Sequence, residues 1–189
     1  MKKLCIALAT LCILFTSAIS TRTANAAAPS KLQNADKLYS ILIRRVDLMK
    51  WVAMDKWIHH KPIEDLPREK IVLQKTRKQA ADAGIVNIDD LTRTQIQIAK
   101  NEQHRWMEKW NKHGLHINQP APTLNELRKQ LDDLSSELIP SLQENLSSLR
   151  DDKLHPRLHT MLNDKLKKLP INERNMLWKA LLKLRHAPH

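Results

Sequence analysis

The chain of 189 residues has two glycines, one phenylalanine, one tyrosine and two cysteines. So little glycine and so few of the aromatics that line strands fit an all-helical protein better than a β protein. Cys5 and Cys12 both lie near the N-terminus. A chain shortened past them has no thiol and no disulfide, and must hold itself together by burial alone. Acids are also outnumbered, 20 against 32 Lys and Arg, for a formal net charge of +12.

Long apolar runs are missing as well. The stretch from Leu4 to Ile19 is diluted by Thr, Ser and Ala and is short for a membrane span. Lys2-Lys3 precede it and an A-x-A signal, Ala24-Asn25-Ala26, follows it. Together these read as a signal peptide over residues 1–26, cleaved after Ala26. That segment carries Lys2, Lys3 and Arg22 and no acid, so its loss takes the charge from +12 to +9. Residues 27–189 are then one domain of ordinary size, periplasmic or secreted, with no stable membrane insertion after cleavage. The positive surplus raises a nucleic-acid partner. Export argues against it, and so does the interleaving of acids among the cations along every predicted helix. A solvated basic surface is the better reading.

Within that domain one stretch organises the rest, from Asp36 to Arg68. Leu38, Ile41, Leu42, Leu48, Met49 and Val52 recur at three- and four-residue spacing, so the pattern predicts a helix over about 35–59. Residues 27–34 read as a frayed start. Arg45 and Lys56 are eleven residues apart on that helix, hence on nearly one face and roughly 16 Å apart along the axis. Cations on a helix usually send their heads to solvent. Spacing alone does not lift these two above that rule.

Pro62 and Pro67 punctuate the following turn, and Pro67 suits the first position of a second helix ending before Gly84. Asn87 is placed to cap a third helix, running to about Lys112, with Asp89 and Asp90 in its first turn. On it Gln95, Ala99, Gln103 and Trp106 share a stripe, which points Gln103 inward. Thr123 and Glu126 form a T-x-x-E capping box. The fourth helix then carries Leu124, Leu127, Leu131, Leu134 and Leu138, and Pro140 is expected to kink or divide it. Two shorter helices follow, over about 155–168 and from Asn172 to Leu184. The prediction is a single all-α domain of five to six helices. Its long leucine faces need partners, some of which a homodimer would supply.

The pattern of Arg45, then Asp55-Lys56-Trp57, then Pro62-Ile63-Glu64-Asp65-Leu66-x-Arg68-Glu69 resembles the all-helical chorismate mutases, and among them the secreted subclass. The resemblance covers residues 36–135 and is strongest over 45–69. It implies the type II chorismate mutase fold, a homodimer, and a small basic pocket built within one chain. The reaction implied is the Claisen rearrangement of chorismate to prephenate. That reaction is unimolecular and pericyclic, so it calls for no nucleophile, metal or cofactor.

By position, the resemblance makes Arg45, Arg68 and Arg128 the grips on the substrate's two carboxylates. A planar guanidinium fork suits that task. It sets Lys56 beside the ether oxygen and Gln103 as the neutral second donor to it. Asp65, through its backbone, and Glu69, through its carboxylate, match the positions that contact the ring hydroxyl. Catalytic roles thus fall to Lys56, Gln103 and Arg45. Ala99 departs from the family, some of whose members have a hydroxyl there, and the helices after Pro140 match nothing. Arg128 rests on a leucine-rich spacing that many helices share.

Other chemistry is weaker. His155 and His159 have i, i+4 spacing but no glutamate or cysteine completes a metal motif. Trp51, Trp57, Trp106, Trp110 and Trp178 read as packing. The rival class is a non-catalytic basic helical protein of the periplasm, binding envelope components or acting as a chaperone. It predicts no convergence of Arg45, Lys56, Arg68 and Gln103 on one cavity.

Overall fold

The computed structural model describes residues 30–115 and 121–188, so the leader expected over 1–26 lies outside the described residues. Helix α1 spans Lys31–Asp47 and α2 spans Met49–Ile58. The expected single helix is therefore interrupted at Leu48. The interruption is slight: Leu48 keeps right-handed helical angles, its N–H donates to Arg44 O at 3.3 Å, and its carbonyl accepts from Val52 N at 3.2 Å. The start differs too. Residues 31–34 are helical and not frayed, because Ser30 and Gln33 form a reciprocal capping box.

Helix α3 spans Leu66–Asp82, α4 Ile88–His113, α5 Leu124–Asn145, α6 His155–Lys165 and α7 Ile171–Leu182. Pro67 is the second residue of α3, not the first. The Asp65 side chain caps this helix by accepting from Arg68 N at 3.1 Å. Gly84, at φ +66°, ends the segment in the left-handed conformation that glycine tolerates best. Asn87 precedes α4 but its side chain does not cap it; Nδ2 donates instead to Lys183 O at 3.1 Å. The Thr123–Glu126 capping box forms as expected. Helix α5 runs on through Pro140 without dividing. Pro140 is exposed, where water can replace the backbone bond it forfeits.

Counting α1 and α2 as one interrupted rod gives six helices among the described residues. Helix α1 packs mainly on α5 and α6, α2 on α4, and α4 between α3 and α7. The main core joins Leu38, Tyr39, Ile41 and Leu42 of α1 to Leu134, Leu138 and Leu142 of α5, with Leu158, Leu162, Leu177 and Leu181 from the last two helices. The leucine face of α5 is thus covered within the chain and gives no argument for a second copy. A smaller cluster gathers Ala53, Met54 and Trp110 with Trp51, Trp57 and Trp106. Trp178 packs on the main core and is stacked by His159 at 5.1 Å, with His155 edge-on at 5.6 Å. A two-residue antiparallel ladder, Ile85–Val86 with Arg185–His186, ties the C-terminus to the α3–α4 turn.

Candidate active site

Helices α1 to α5 enclose a cavity of about 760 Å³. Its lining includes Arg45, Lys56, Asp65, Arg68, Glu69, Gln103 and Arg128, all seven residues singled out in the sequence. Arg45 enters from the last turn of α1. Its Nη1 donates to Ser135 Oγ at 2.7 Å and to Leu131 O at 3.1 Å, both on α5. Burial pulls this guanidinium down to about 10, against a smaller opposing pull from Asp132.

Lys56 enters from the last turn of α2. The chain folds over it: Lys61 N donates to Lys56 O at 2.8 Å, and Lys56 Nζ donates to Ile63 O at 2.5 Å. Burial lowers the Lys56 pKa; Asp65, Glu69 and Asp55 oppose that, and Arg128 reinforces it. Arg68 and Glu69 follow the Asp65 cap in the first turn of α3. Arg68 Nη2 meets Asp132 Oδ1 at 3.4 Å, and Glu69 Oε1 meets Lys100 Nζ at 3.2 Å. Arg128 is exposed at the rim of the cavity, yet close enough for its charge to be felt at Lys56.

Gln103 is buried, 4% exposed, on α4. Its Nε2 donates to Ala99 O at 3.0 Å, and its other contact is Met49 Sδ at 3.8 Å. A thioether is a weak acceptor, so one amide N–H remains available to a ligand oxygen. Oε1 has no partner among the described residues. One turn earlier, the Ala99 side chain offers the cavity no polar group.

Several lining residues were not singled out from sequence. Asp132 bridges Arg68 and Lys75, Ser135 fixes Arg45, and Lys100 joins Glu64 to Glu69. Asp132 had a legible signal, since it lies four residues after Arg128 and shares its face. Lys100 had none beyond its place next to Ala99.

The charges in the cavity divide into two groups. Lys61 pairs with Asp55, Lys100 with Glu64 and Glu69, and Arg68 with Asp132. Among the described residues, Arg45, Lys56 and Arg128 form no ion pair, and all three line the same space. Leu42, Val46, Met49, Val52, Ile98, Leu138 and Ile139 supply apolar walls, which strengthen every charge interaction inside. No histidine of the described residues is in the lining. The arrangement suits holding a compact anion with more than one negative group, and polarising it.

No family model matches the chain. A monofunctional chorismate mutase of Enterobacter agglomerans is 32% identical over 111 residues, 58% of this chain and 61% of that protein's length. The chain therefore spans under two thirds of that relative. A secreted chorismate mutase of Yersinia pestis is 28% identical over 129 residues, 67% of this chain and 69% of the relative. In structure, the chain is similar to the crystal structure of the secreted chorismate mutase from Yersinia pestis. The TM-score is 0.71, at 21% identity over 79% of this chain and 97% of the other. A chorismate mutase structure from Burkholderia thailandensis gives a TM-score of 0.66 at 29% identity, over 78% of this chain and 96% of the other. Helix order, the shared cavity and these likenesses agree: in sequence and in fold the chain is similar to the all-helical chorismate mutases.

Proposed function

We propose that the protein converts chorismate to prephenate in the α1–α5 cavity. The observation that carries this reading is the convergence of three cations without ion-pair partners among the described residues, Arg45, Lys56 and Arg128, on one apolar-walled space beside a buried neutral amide. A non-catalytic basic protein has no use for that convergence.

The substrate is a flexible dianion. Arg45, Arg68 and Arg128 grip its carboxylates and hold the chair-like conformer in which the reacting carbons meet. As the C–O bond breaks, negative charge grows on the ether oxygen. Lys56 and the free N–H of Gln103 donate to that oxygen and stabilise the transition state more than the ground state. The Asp65 carboxylate is occupied by the cap of α3, which leaves its backbone to meet the ring hydroxyl. Glu69, paired with Lys100, accepts from the same hydroxyl. Ala99 stands where some chorismate mutases have a hydroxyl that touches a carboxylate, so that contact is either absent here or made by water.

We further propose export by way of residues 1–26 and assembly as a homodimer. Support for export comes from the leader-like sequence and from the secreted relative. Among the described residues no helix is long and apolar enough to cross a membrane. The dimer rests on family resemblance alone. The decisive assay takes purified protein beginning at Ala27, adds chorismate and follows the loss of its absorbance. Turnover is expected, with a large loss in Lys56→Ala. Folded protein that leaves chorismate unchanged refutes the proposal.

A further inference from the structure

Gln103 has little to hold it in place. Its own contacts are a carbonyl of its helix and a thioether sulfur, so its position follows the rotation of α4. On the other side of α4 sits a much stronger set of bonds. Glu173, in the first turn of α7, is 2% exposed. Its Oε1 accepts from Asn101 Nδ2 at 2.9 Å and from Arg105 Nη1 at 2.8 Å, and its Oε2 accepts from Arg105 Nη2 at 3.0 Å. Arg105 also donates to Glu102 Oε2, from Nε at 2.9 Å and from Nη2 at 2.7 Å. Glu102 Oε1 in turn accepts from Trp106 Nε1 at 2.9 Å. The four α4 residues bound in this network, at 101, 102, 105 and 106, bracket position 103.

We infer that Glu173 is a positioning residue for the active site, a buried clamp by which α7 fixes the rotation of α4 and so aims Gln103. This inference rests on the proposed mutase reading, and it gives the C-terminal helices a part in the reaction. One side of the clamp is fixed by shape. A bidentate guanidinium–carboxylate pair tolerates little rotation, and charge-assisted bonds of this kind are about twice as strong as neutral ones. Removing Glu173 leaves Arg105 paired with Glu102 alone and cuts the charged link between α4 and α7. A side-chain amide lies roughly 6 Å from its helix axis, so a turn of about 10° displaces it by about 1 Å. A misplacement of about 1 Å costs on the order of 10² in rate. The same helix sends Leu177 into the cavity wall, one turn beyond Glu173, so a shift of α7 is felt directly at the site.

The clamp predicts a specific coupling. Glu173→Ala should lower kcat by about ten- to a hundredfold while KM changes less than about threefold, because the arginine grips stand on α1, α3 and α5. Glu173→Gln keeps the shape and one acceptor, and should recover most of the loss. Active sites are counted by titration with a dianionic inhibitor, so that kcat refers to folded enzyme. In a Gln103→Ala background, Glu173→Ala should add little further loss, since its effect passes through Gln103. Multiplicative losses in the double mutant, or an unchanged kcat per titrated site, overturn the clamp. If the wild type itself does not turn over chorismate, the mutase reading fails first. Amide exchange over residues 99–106 then judges the clamp: at least about tenfold faster exchange in Glu173→Ala is expected, and equal rates overturn it.

Discussion

Arg68 Nη2 lies 3.4 Å from Asp132 Oδ1, and the other oxygen of that carboxylate meets Lys75 Nζ at 3.2 Å. Asp132 also raises the pKa of Arg45 across the cavity. One protein carboxylate therefore occupies Arg68, a cation that a dianionic ligand needs, and pulls on Arg45 as well. It keeps like charges from repelling one another in the free protein, and it competes with the ligand for them. Asp132 is about two-fifths exposed, so each of its pairs contributes no more than about 0.5–1 kcal/mol. Asp132→Asn should accordingly lower the KM for chorismate, and the Kd of a dianionic inhibitor, by about two- to fivefold. Calorimetric titration of the inhibitor measures this directly. Weaker binding in the variant would show that Asp132 orients Arg68 for the ligand and does not compete with it.

Lys56 combines a half-buried charge with a single close partner, the Ile63 carbonyl at 2.5 Å. Its ammonium feels two acids at the start of α3, the capping Asp65 and Glu69 in the first turn. Lys56→Ala should reduce kcat by on the order of 10²–10³, the usual cost of one donor to a developing oxyanion. Thermal stability should hardly fall, because a desolvated charge is removed together with its partner bond. A variant with normal kcat and only a raised KM would move Lys56 from the ether oxygen to a carboxylate.

The elements that carry the seven candidate residues were legible from local signals, namely the period of α1, the proline-marked turn, the Asp65–Glu69 entry to α3 and the capping box of α5; the residues themselves were singled out by the family resemblance, and the structure brings all seven to one cavity. What was illegible is set by contacts distant in sequence. The break at Leu48 has no glycine or proline to announce it. Asn87 looks like a cap, yet its amide is drawn to Lys183 O, 96 residues away. The face of leucines on α5 read as needing partners, some of them from a homodimer, whereas α1 and the last two helices cover it. Glu173 was not singled out from the sequence at all. Only the packing of α7 on α4 shows it buried against Arg105.

Two of the site cations release protons early. Burial brings Arg45 down to about 10 and lowers Lys56 from its ordinary value. Both act in the charged form, so kcat/KM should be flat through neutral pH and fall as pH rises through about 10. Stability should move the other way. In the unfolded chain Arg45 keeps its proton to higher pH, so above about 10 the unfolded state binds more protons than the folded one. By linkage, that difference makes this group's contribution to stability rise with pH. A dianion that stabilises the charged forms should also draw protons onto the protein. Inhibitor binding near pH 10 should therefore show net proton uptake, read from calorimetry in buffers of different ionisation enthalpy. Proton release on binding would place the ligand away from Arg45 and Lys56.

Gln103 permits the sharpest separation of donor from bystander. Its amide offers an N–H at every pH, whereas a carboxyl donates only when protonated. In Gln103→Glu the new carboxylate would take the place of a side chain 4% exposed, against Met49 and the apolar wall, where desolvation raises a carboxyl pKa. At neutral pH the ionised form of this variant repels the ether oxygen as negative charge grows on it, so kcat should fall by on the order of 10² or more. As pH drops through the raised pKa the carboxyl regains its proton and with it the ability to donate. The profile of kcat against pH should then climb toward acid in the variant while the wild type stays flat. Parallel profiles for the two proteins would mean that position 103 donates nothing to the reacting oxygen. Lys56 would then stand as the sole group stabilising charge there.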